Sequence, residues 1–291
     1  MIHRYYKEGQ KLNVAGLNEM IVLIDRTEAE LTEVALNTWR AGLIGPPHRH
    51  DQKEQIFYVT SGTGVVKVGN KTFQVKPGDL VYIPLGMEHQ TIAADHEALH
   101  YILFNVFNNP DKEGHGTFAE HIEKVKNIRK QQAETGKASV ENSEGSTSSA
   151  KKPKHIHDLT KGKLYEFGSN TTRLLLDRTE TERFETVVVS WPKGNKGALV
   201  EHKEKEQTFF VLSGSGIVTI NDKHASVKPG DIIFVPRNVP HTTEAKDEDL
   251  IYLCLNVYVT EMQDGSFEEM YNRISPGRIE RWEKNDSSVG D

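Results

Sequence analysis

A chain of 291 residues is about twice the usual single-domain length, so two domains are expected. Hydrophobic residues make up 36% and charged residues 27%, which suits a globular protein with enough chain to bury a real core. Lys and Arg number 36 against 42 Asp and Glu, and the formal net charge of -6 excludes a basic phosphate-backbone binder.

The first residues, Met1-Ile2-His3-Arg4-Tyr5-Tyr6-Lys7, hold no apolar leader core. No apolar run anywhere approaches the ~18 residues of a membrane span, so a soluble, cytoplasmic protein is the expectation. Runs rich in Val, Ile, Tyr and Phe occur at 20–24, 33–39, 55–59, 64–68, 80–84 and 101–107. Gly-containing turns part them: Ser61-Gly62-Thr63-Gly64, Gly69-Asn70 and Lys76-Pro77-Gly78-Asp79. Short strands at this spacing, with no helix-length pattern between them, predict an antiparallel sandwich or barrel rather than parallel α/β. Phe118, Ile122, Val125 and Ile128 then recur at three- and four-residue spacing, which predicts one helix packed on the barrel. Residues 131–154 contain no aromatic residue and only Val140 among the branched aliphatics. Such a stretch cannot bury enough to offset its ordering entropy, and a mobile linker is expected.

The segment after the linker repeats the segment before it. Leu23-Ile24-Asp25-Arg26-Thr27-Glu28 returns as Leu175-Leu176-Asp177-Arg178-Thr179-Glu180, at an offset of 152 (175 − 23). Trp39 returns as Trp191, Glu54-Gln55 as Glu206-Gln207, Gly62 as Gly214 and His89 as His241. Val75-Lys76-Pro77-Gly78-Asp79 recurs unchanged as Val227-Lys228-Pro229-Gly230-Asp231. One residue is then lost, and Asn105-Val106 matches Asn256-Val257 at 151 (256 − 105). This is a tandem duplication. The expected organisation is an N-terminal barrel with its helix over 1–130, the linker over 131–154, and a C-terminal barrel with its helix over 155–291. Phe267, Met270, Tyr271 and Ile274 mark the second helix. The single cysteine, Cys254, excludes an intramolecular disulfide and a cysteine-based zinc cluster; within Leu253-Cys254-Leu255 it reads as a buried, inert thiol.

The 13 histidines carry the chemistry. His48 and His50 stand two apart in a strand, so both imidazoles point to one face. His89, reached after a turn, can supply a third nitrogen, and the strand beginning near Glu54 an oxygen. Such an N3O set suits Fe(II), Mn(II), Ni(II), Cu(II) or Zn(II). A lone histidine would be read as structural; three at this spacing read as metal ligands. The oxygen is either Glu54 or Gln55. Gln55, Phe57 and Val59 share one strand face, as do Gln207, Phe209 and Val211 in the second copy, while Glu54, Ile56 and Tyr58 share the other. Alternation therefore favours Gln55 as the inward group. Glu54 remains a candidate catalytic base at the cavity mouth.

Gly42-(x)5-His48-x-His50 with Glu54-Gln55 and Gly62, then Gly78-(x)5-Pro84-x-Gly86-(x)2-His89, resembles the paired motifs of the cupin superfamily. The motifs return in the second copy, so the chain resembles a bicupin. The resemblance implies an all-β fold of two tandem antiparallel barrels (the cupin double-stranded β-helix, or jelly roll), each trailed by a short helix. A three-His, one-Gln ligand set also occurs among cupins. The asparagine that ends the second motif is absent, since Ala93 stands there. In the second copy Val200 replaces His48 while His202, Gln207 and His241 remain, which implies a degraded second site. Asn238 in place of Gly86 implies that its mouth has drifted.

The remaining histidines are weaker candidates. His96, His100, His115, His121 and His224 lack partner spacing and are expected at solvent or strand edges. His155 and His157, with His157 aligned to His3, are expected in a structural strand. Trp39 and Trp191 read as barrel packing, and Arg26 and Arg178 as surface or inter-barrel ion pairs. The resemblance implies a metal-dependent enzyme acting on a small molecule in the N-terminal barrel: a dioxygenase, or an isomerase or lyase of a sugar or acid. Its cofactor would be a divalent metal ion, with no nucleic-acid or membrane partner and a monomer or homodimer in solution. The alternative is a non-catalytic cupin binding protein for a sugar or other small ligand.

Overall fold

The computed structural model describes residues 1–114, 116–135, 139–140 and 150–290. His115 and most of the expected linker, at 136–138 and 141–149, lie outside the described residues. The chain divides into two compact units, an N-terminal one of Tyr6–Leu159 and a C-terminal one of Met1–Tyr5 with Thr160–Asp291. The edge strands explain this division. Ile2–Tyr5 pairs antiparallel with Asp231–Val235 of the second copy, and Lys154–Ile156 pairs with Leu80–Ile83 of the first. Register makes His155, not His157, the counterpart of His3: His3 lies opposite Ile233 and His155 opposite Val81, both pairs 152 apart (155 − 3, 233 − 81).

Each unit pairs a larger sheet with a smaller one. In the N-terminal unit the seven-stranded sheet runs Lys154–Ile156, Leu80–Ile83, Lys53–Ser61, Leu99–Phe107, Thr32–Trp39, Asn18–Ile24, Gln10–Val14. The five-stranded sheet runs Ser139–Val140, His48–Arg49, His89–Ala93, Gly64–Val68, Lys71–Val75. Neighbours are antiparallel throughout, except that Ser139–Val140 pairs parallel with His48–Arg49. The C-terminal unit has a seven-stranded sheet with Lys205–Ser213 and Leu250–Tyr258 at its centre, and a three-stranded sheet of Lys223–Val227, Gly216–Ile220 and His241–Ala245. Two tandem antiparallel β-barrels are therefore present, as the strand pattern predicts.

Period-two alternation turns one face of each central strand into the core. Phe57 and Val59 meet Val66, Val68, Val81, Ile83, Tyr101 and Leu103 in one apolar cluster. Their counterparts Phe209 and Val211 meet Val218, Ile220, Ile233, Val235, Tyr252 and Cys254 in the other. Phe57 stacks on Tyr101 at 4.3 Å and Phe209 on Tyr252 at 4.6 Å, each buried ring worth about 1.5–3 kcal/mol relative to exposure. Beside these stacks the backbone comes so close to the tryptophans that a Cβ on Gly45 would lie 2.7 Å from the Trp39 ring, and one on Gly197 2.5 Å from Trp191. Only glycine fits there.

Two α-helices among the described residues, α1 (Phe118–Thr135) and α2 (Phe267–Glu283), trail the barrels. The repeated Asp-Arg-Thr-Glu motif docks them. Asp25 Oδ2 accepts from the Phe118 amide and Asp177 Oδ2 from the Phe267 amide, both at 3.0 Å, so a carboxylate satisfies an orphan N–H at each helix start. On α1 the buried stripe is Phe118, His121, Ile122 and Val125, whereas Ile128 is 46% exposed. The expected stripe therefore falls one residue short at its end, because Arg129 occupies the inward position. Among the described residues no helix is long and apolar enough to cross a membrane.

Candidate metal centre

The first copy brings His48, His50 and His89 together. His89 lies directly opposite His48 across an antiparallel pair, and His50 stands two residues further along. One ring nitrogen from each lies within 4.8 Å of the other two. Ring centroids are 4.2 Å apart for His48 and His89, 5.0 Å for His48 and His50, and 5.3 Å for His50 and His89. Backbone carbonyls set the tautomers. Pro46 O lies 3.0 Å from His48 Nδ1 and Met87 O 3.1 Å from His89 Nδ1. A carbonyl only accepts, so Nδ1 carries the proton and Nε2 keeps its lone pair, the form a metal ligand needs.

Gln55 reaches the same cavity, and a hydrogen-bond chain fixes which way its amide points. Gln55 Nε2 donates to Asn105 Oδ1 at 2.8 Å, Asn105 Nδ2 donates to Glu33 Oε1 at 2.5 Å, and Arg26 Nε donates to Glu33 Oε2 at 2.6 Å. Glu33 beside Arg26 can only accept, so Asn105 must present nitrogen to it and oxygen to Gln55. Gln55 must then present nitrogen to Asn105. Its Oε1 is left without a hydrogen-bond partner among the described residues, in a side chain 4% exposed. A buried amide oxygen in this state suits a metal ligand. Arg26 is thus neither a surface nor an inter-barrel residue: it is 1% exposed, bonded within its own unit, over the rings of Phe107 and Phe118.

Glu54 is elsewhere. The strand alternation that turns Gln55 inward turns Glu54 to the opposite face, where it is fully buried and accepts from the Tyr82 hydroxyl. The expectation of a base at the mouth is corrected accordingly. His121 and Arg129 line the cavity instead, with Asn18, Asn37, Trp39 and Thr91. His121 is 4% exposed rather than at the solvent edge. Both lie on the α1 stripe, at three and eleven residues beyond Phe118, and that spacing is the signal that marks them. The cavity holds about 70 Å³, room for a few small atoms beside a metal. Trp39 Nε1 and Asn37 Nδ2 both donate to the Tyr101 hydroxyl, whose pKa burial raises, so this wall stays neutral.

The second copy keeps the frame and loses one imidazole. His202 and His241 stand 5.3 Å apart, and His241 Nδ1 lies 3.0 Å from Val239 O. Val200 bridges to His241, in the place His48 holds opposite His89. Gln207 Nε2 donates to Asn256 Oδ1 at 2.7 Å, Asn256 Nδ2 to Glu185 Oε1 at 2.9 Å, and Arg178 Nε to Glu185 Oε2 at 2.8 Å. Gln207 Oε1 is again without a hydrogen-bond partner among the described residues. Burial, with Arg278 and Lys205 adding to it, pushes the His241 imidazole down to about 4. Arg278 of α2 lines this cavity of about 90 Å³. The mouth turn is unchanged in backbone terms: Asn238 adopts φ +58°, close to the +70° of Gly86, a conformation asparagine tolerates. Cys254 is buried, and desolvation raises its thiol pKa, as an inert side chain requires.

Comparison with known proteins agrees with this architecture. The cupin domain model matches residues 38–105 and 187–257, one stretch in each copy. The chain belongs to the cupin superfamily and is a bicupin. It is 24% identical over 257 residues to quercetin 2,3-dioxygenase of Bacillus subtilis, across 81% of this chain and 76% of that one. A shorter match, 36% over 53 residues, joins 18% of this chain to 42% of an uncharacterized protein of Methanocaldococcus jannaschii. Among solved structures, an oxalate decarboxylase superposes with a TM-score of 0.59 at 17% identity, over 89% of this chain and 79% of that one. A variant of the Bacillus subtilis oxalate decarboxylase gives 0.58 at 17% over the same shares. At that identity the likeness is one of fold.

Proposed function

We propose that the chain is a metal-dependent bicupin enzyme whose working site is the N-terminal cavity, acting on a small oxygenated acid. One observation carries this reading: three imidazoles with their nitrogens within 4.8 Å face the same cavity as an amide oxygen held free of other partners. His48, His50, His89 and Gln55 would hold a divalent metal, which when bound supplies Lewis-acid or oxygen-activating chemistry. The amide is neutral, so the site keeps more positive charge than a carboxylate ligand would leave. Arg129, from the inward face of α1, binds and orients a substrate carboxylate by charge-assisted hydrogen bonds. His121 takes or returns a proton at a ring nitrogen, a role that the buried Glu54 cannot fill. Trp39, Phe57 and Tyr101 close the rear wall against water. The dioxygenase relative and the decarboxylase fold neighbours support oxidative cleavage and decarboxylation as the reactions to screen first.

The test is metal content followed by turnover. Protein expressed with metal supplementation is expected to hold close to one equivalent in the N-terminal barrel, and to consume oxygen or release CO2 from small dicarboxylates or keto acids. Arg129→Leu should weaken an acidic ligand by roughly 1.5–3 kcal/mol, the value of a hydrogen bond to a charged group, and leave a neutral one unchanged. Metal content below a tenth of an equivalent would sink the enzyme reading. A metal-loaded protein that binds acids without turning any over would favour the non-catalytic binding protein.

A further inference from the structure

The N-terminal unit carries a second cluster of ligand-type side chains, on its edge rather than in its cavity. Asp79 comes directly after the Pro77-Gly78 turn, and the edge strand Lys154–Ile156 runs antiparallel to the strand beginning at Leu80. Continuing that register one step places His157 beside Asp79. His155 and His157 are two residues apart, so both imidazoles leave the strand on one side. His155 Nε2 lies 2.9 Å from Asp79 Oδ2 and His157 Nδ1 3.5 Å from the same oxygen, with the two ring centroids 3.7 Å apart. One donor atom from each of the three lies within 4.8 Å of the others.

The carboxylate is the informative partner. Its Oδ2 also accepts from the Lys76 amide at 3.1 Å, so two imidazole nitrogens and one backbone N–H gather at one oxygen. Asp79 Oδ1 has no hydrogen-bond partner among the described residues, in a side chain only 1% exposed. A buried anionic oxygen left in this state calls for a cation. The other copy supplies the contrast. There His3 Nε2 pairs with Asp231 Oδ2 at 3.0 Å, which shows that a histidine–aspartate pair alone serves to seat the edge strand. Tyr5 stands opposite Asp231, where His157 stands at Asp79. The second imidazole is therefore an addition to the structural pair, confined to one unit. His157 is 62% exposed, so solvent can complete the coordination.

We propose that Asp79, His155 and His157 form a second divalent-cation site, for a Zn2+-class ion, that fastens the edge strand to the seven-stranded sheet of the N-terminal unit. Two imidazoles, one carboxylate and a water make a tetrahedral set of this kind. The site is independent of the barrel cavity and of any reaction there.

The experiment removes the barrel ligands first. Metal-stripped full-length protein carrying His48→Ala and His89→Ala is titrated with ZnCl2 by isothermal calorimetry, and its metal content is measured after desalting. This background is expected to keep about one equivalent of zinc and to melt at a higher temperature with zinc than without. Adding His157→Tyr, which installs the residue the sheet already accepts at the matching place in the other copy, should remove both the equivalent and the thermal shift. Wild-type protein gives the same answer without the barrel changes: it should lose one of two equivalents on His157→Tyr. Zinc binding that His157→Tyr leaves intact, or a barrel-free background that takes up none, would overturn the proposal. Zinc lost on His157→Tyr but not on His48→Ala/His89→Ala would leave this site standing and remove the metal from the barrel.

Discussion

The chain contains its own control, because the two barrels share a four-residue hydrogen-bond chain behind the cavity glutamine and differ in front of it. Gln55–Asn105–Glu33–Arg26 and Gln207–Asn256–Glu185–Arg178 are the same hydrogen-bond chain built twice. Asp25 and Asp177 seat the trailing helices identically. In front, His48 becomes Val200, and on the helices His121 becomes Met270. The frame that orients an amide oxygen has thus outlived one of the imidazoles it would serve. That separation distinguishes parts that hold the fold from parts that hold a ligand. A buried carboxylate–arginine pair costs several kcal/mol to break from one side, which accounts for its persistence in a cavity short of an imidazole.

The largest expected effect comes from breaking the contrast at His48. His48→Ala should weaken metal binding in the N-terminal barrel by more than the roughly 10–100-fold that loss of an outer partner costs a metal site. His202→Ala should change that metal hardly at all, and metal analysis of the two variants side by side reads the difference. Equal losses would mean that the barrels are functionally alike. The converse variant, Val200→His, installs the missing imidazole opposite His241, whose ring burial already keeps neutral. A gain of roughly 10–100-fold in zinc affinity at the C-terminal cavity is expected, the scale on which single partners tune such sites. No gain would show that the C-terminal cavity has lost more than one ligand.

Much of this frame is legible in the sequence, for reasons that differ by residue. The repeat offset and the strand pattern give two barrels directly, and period-two alternation gives Gln55 over Glu54. Asn105 is visible as a repeated residue, but its role needs cross-strand register: only in the fold does it lie opposite Gln55. The buried Arg26–Glu33 pair is seven residues apart along the chain, and the sequence carries no sign of which face each takes. His121 and Arg129 are within reach of pattern reading, since they fall on the apolar stripe of α1; a stripe read from its apolar members alone passes over them. The exchange of edge strands is invisible to any one-copy reading, because Ile2–Tyr5 pairs with a strand more than two hundred positions away.

A smaller effect sharpens the comparison inside the hydrogen-bond chain. Gln55→Glu places an acceptor against Asn105 Oδ1; turning Asn105 over would instead set its oxygen against Glu33. Either arrangement leaves buried acceptors facing each other, at a cost of roughly 1–3 kcal/mol in metal-free protein. Gln207→Glu should cost a similar amount, because the same four-residue chain stands behind it, with the Tyr258 hydroxyl as one further donor to Glu185. Metal should restore stability to the first variant, where an anionic oxygen joins three imidazoles, and much less to the second. Melting curves with and without zinc read this, and equal rescue in both barrels would contradict the ligand assignment.

The smallest effect tests whether the frames are truly equivalent. Asp25→Ala and Asp177→Ala each remove one carboxylate from a helix start, and each should cost about 1 kcal/mol, the usual value of a helix N-terminal cap. The helices are alike in one further respect that bears on this. α2 has a second cap, with Ser266 Oγ accepting from the Glu269 amide at 3.2 Å, and α1 has Thr117 Oγ1 accepting from the Glu120 amide at 3.1 Å, so neither helix relies on the aspartate alone. Losses in the two barrels should therefore match to within a few tenths of a kcal/mol. A much larger loss from Asp25→Ala, accompanied by weaker binding of acids in the N-terminal cavity, would mean that α1 is held in place for the sake of His121 and Arg129, and that the frame of the first barrel is part of its site.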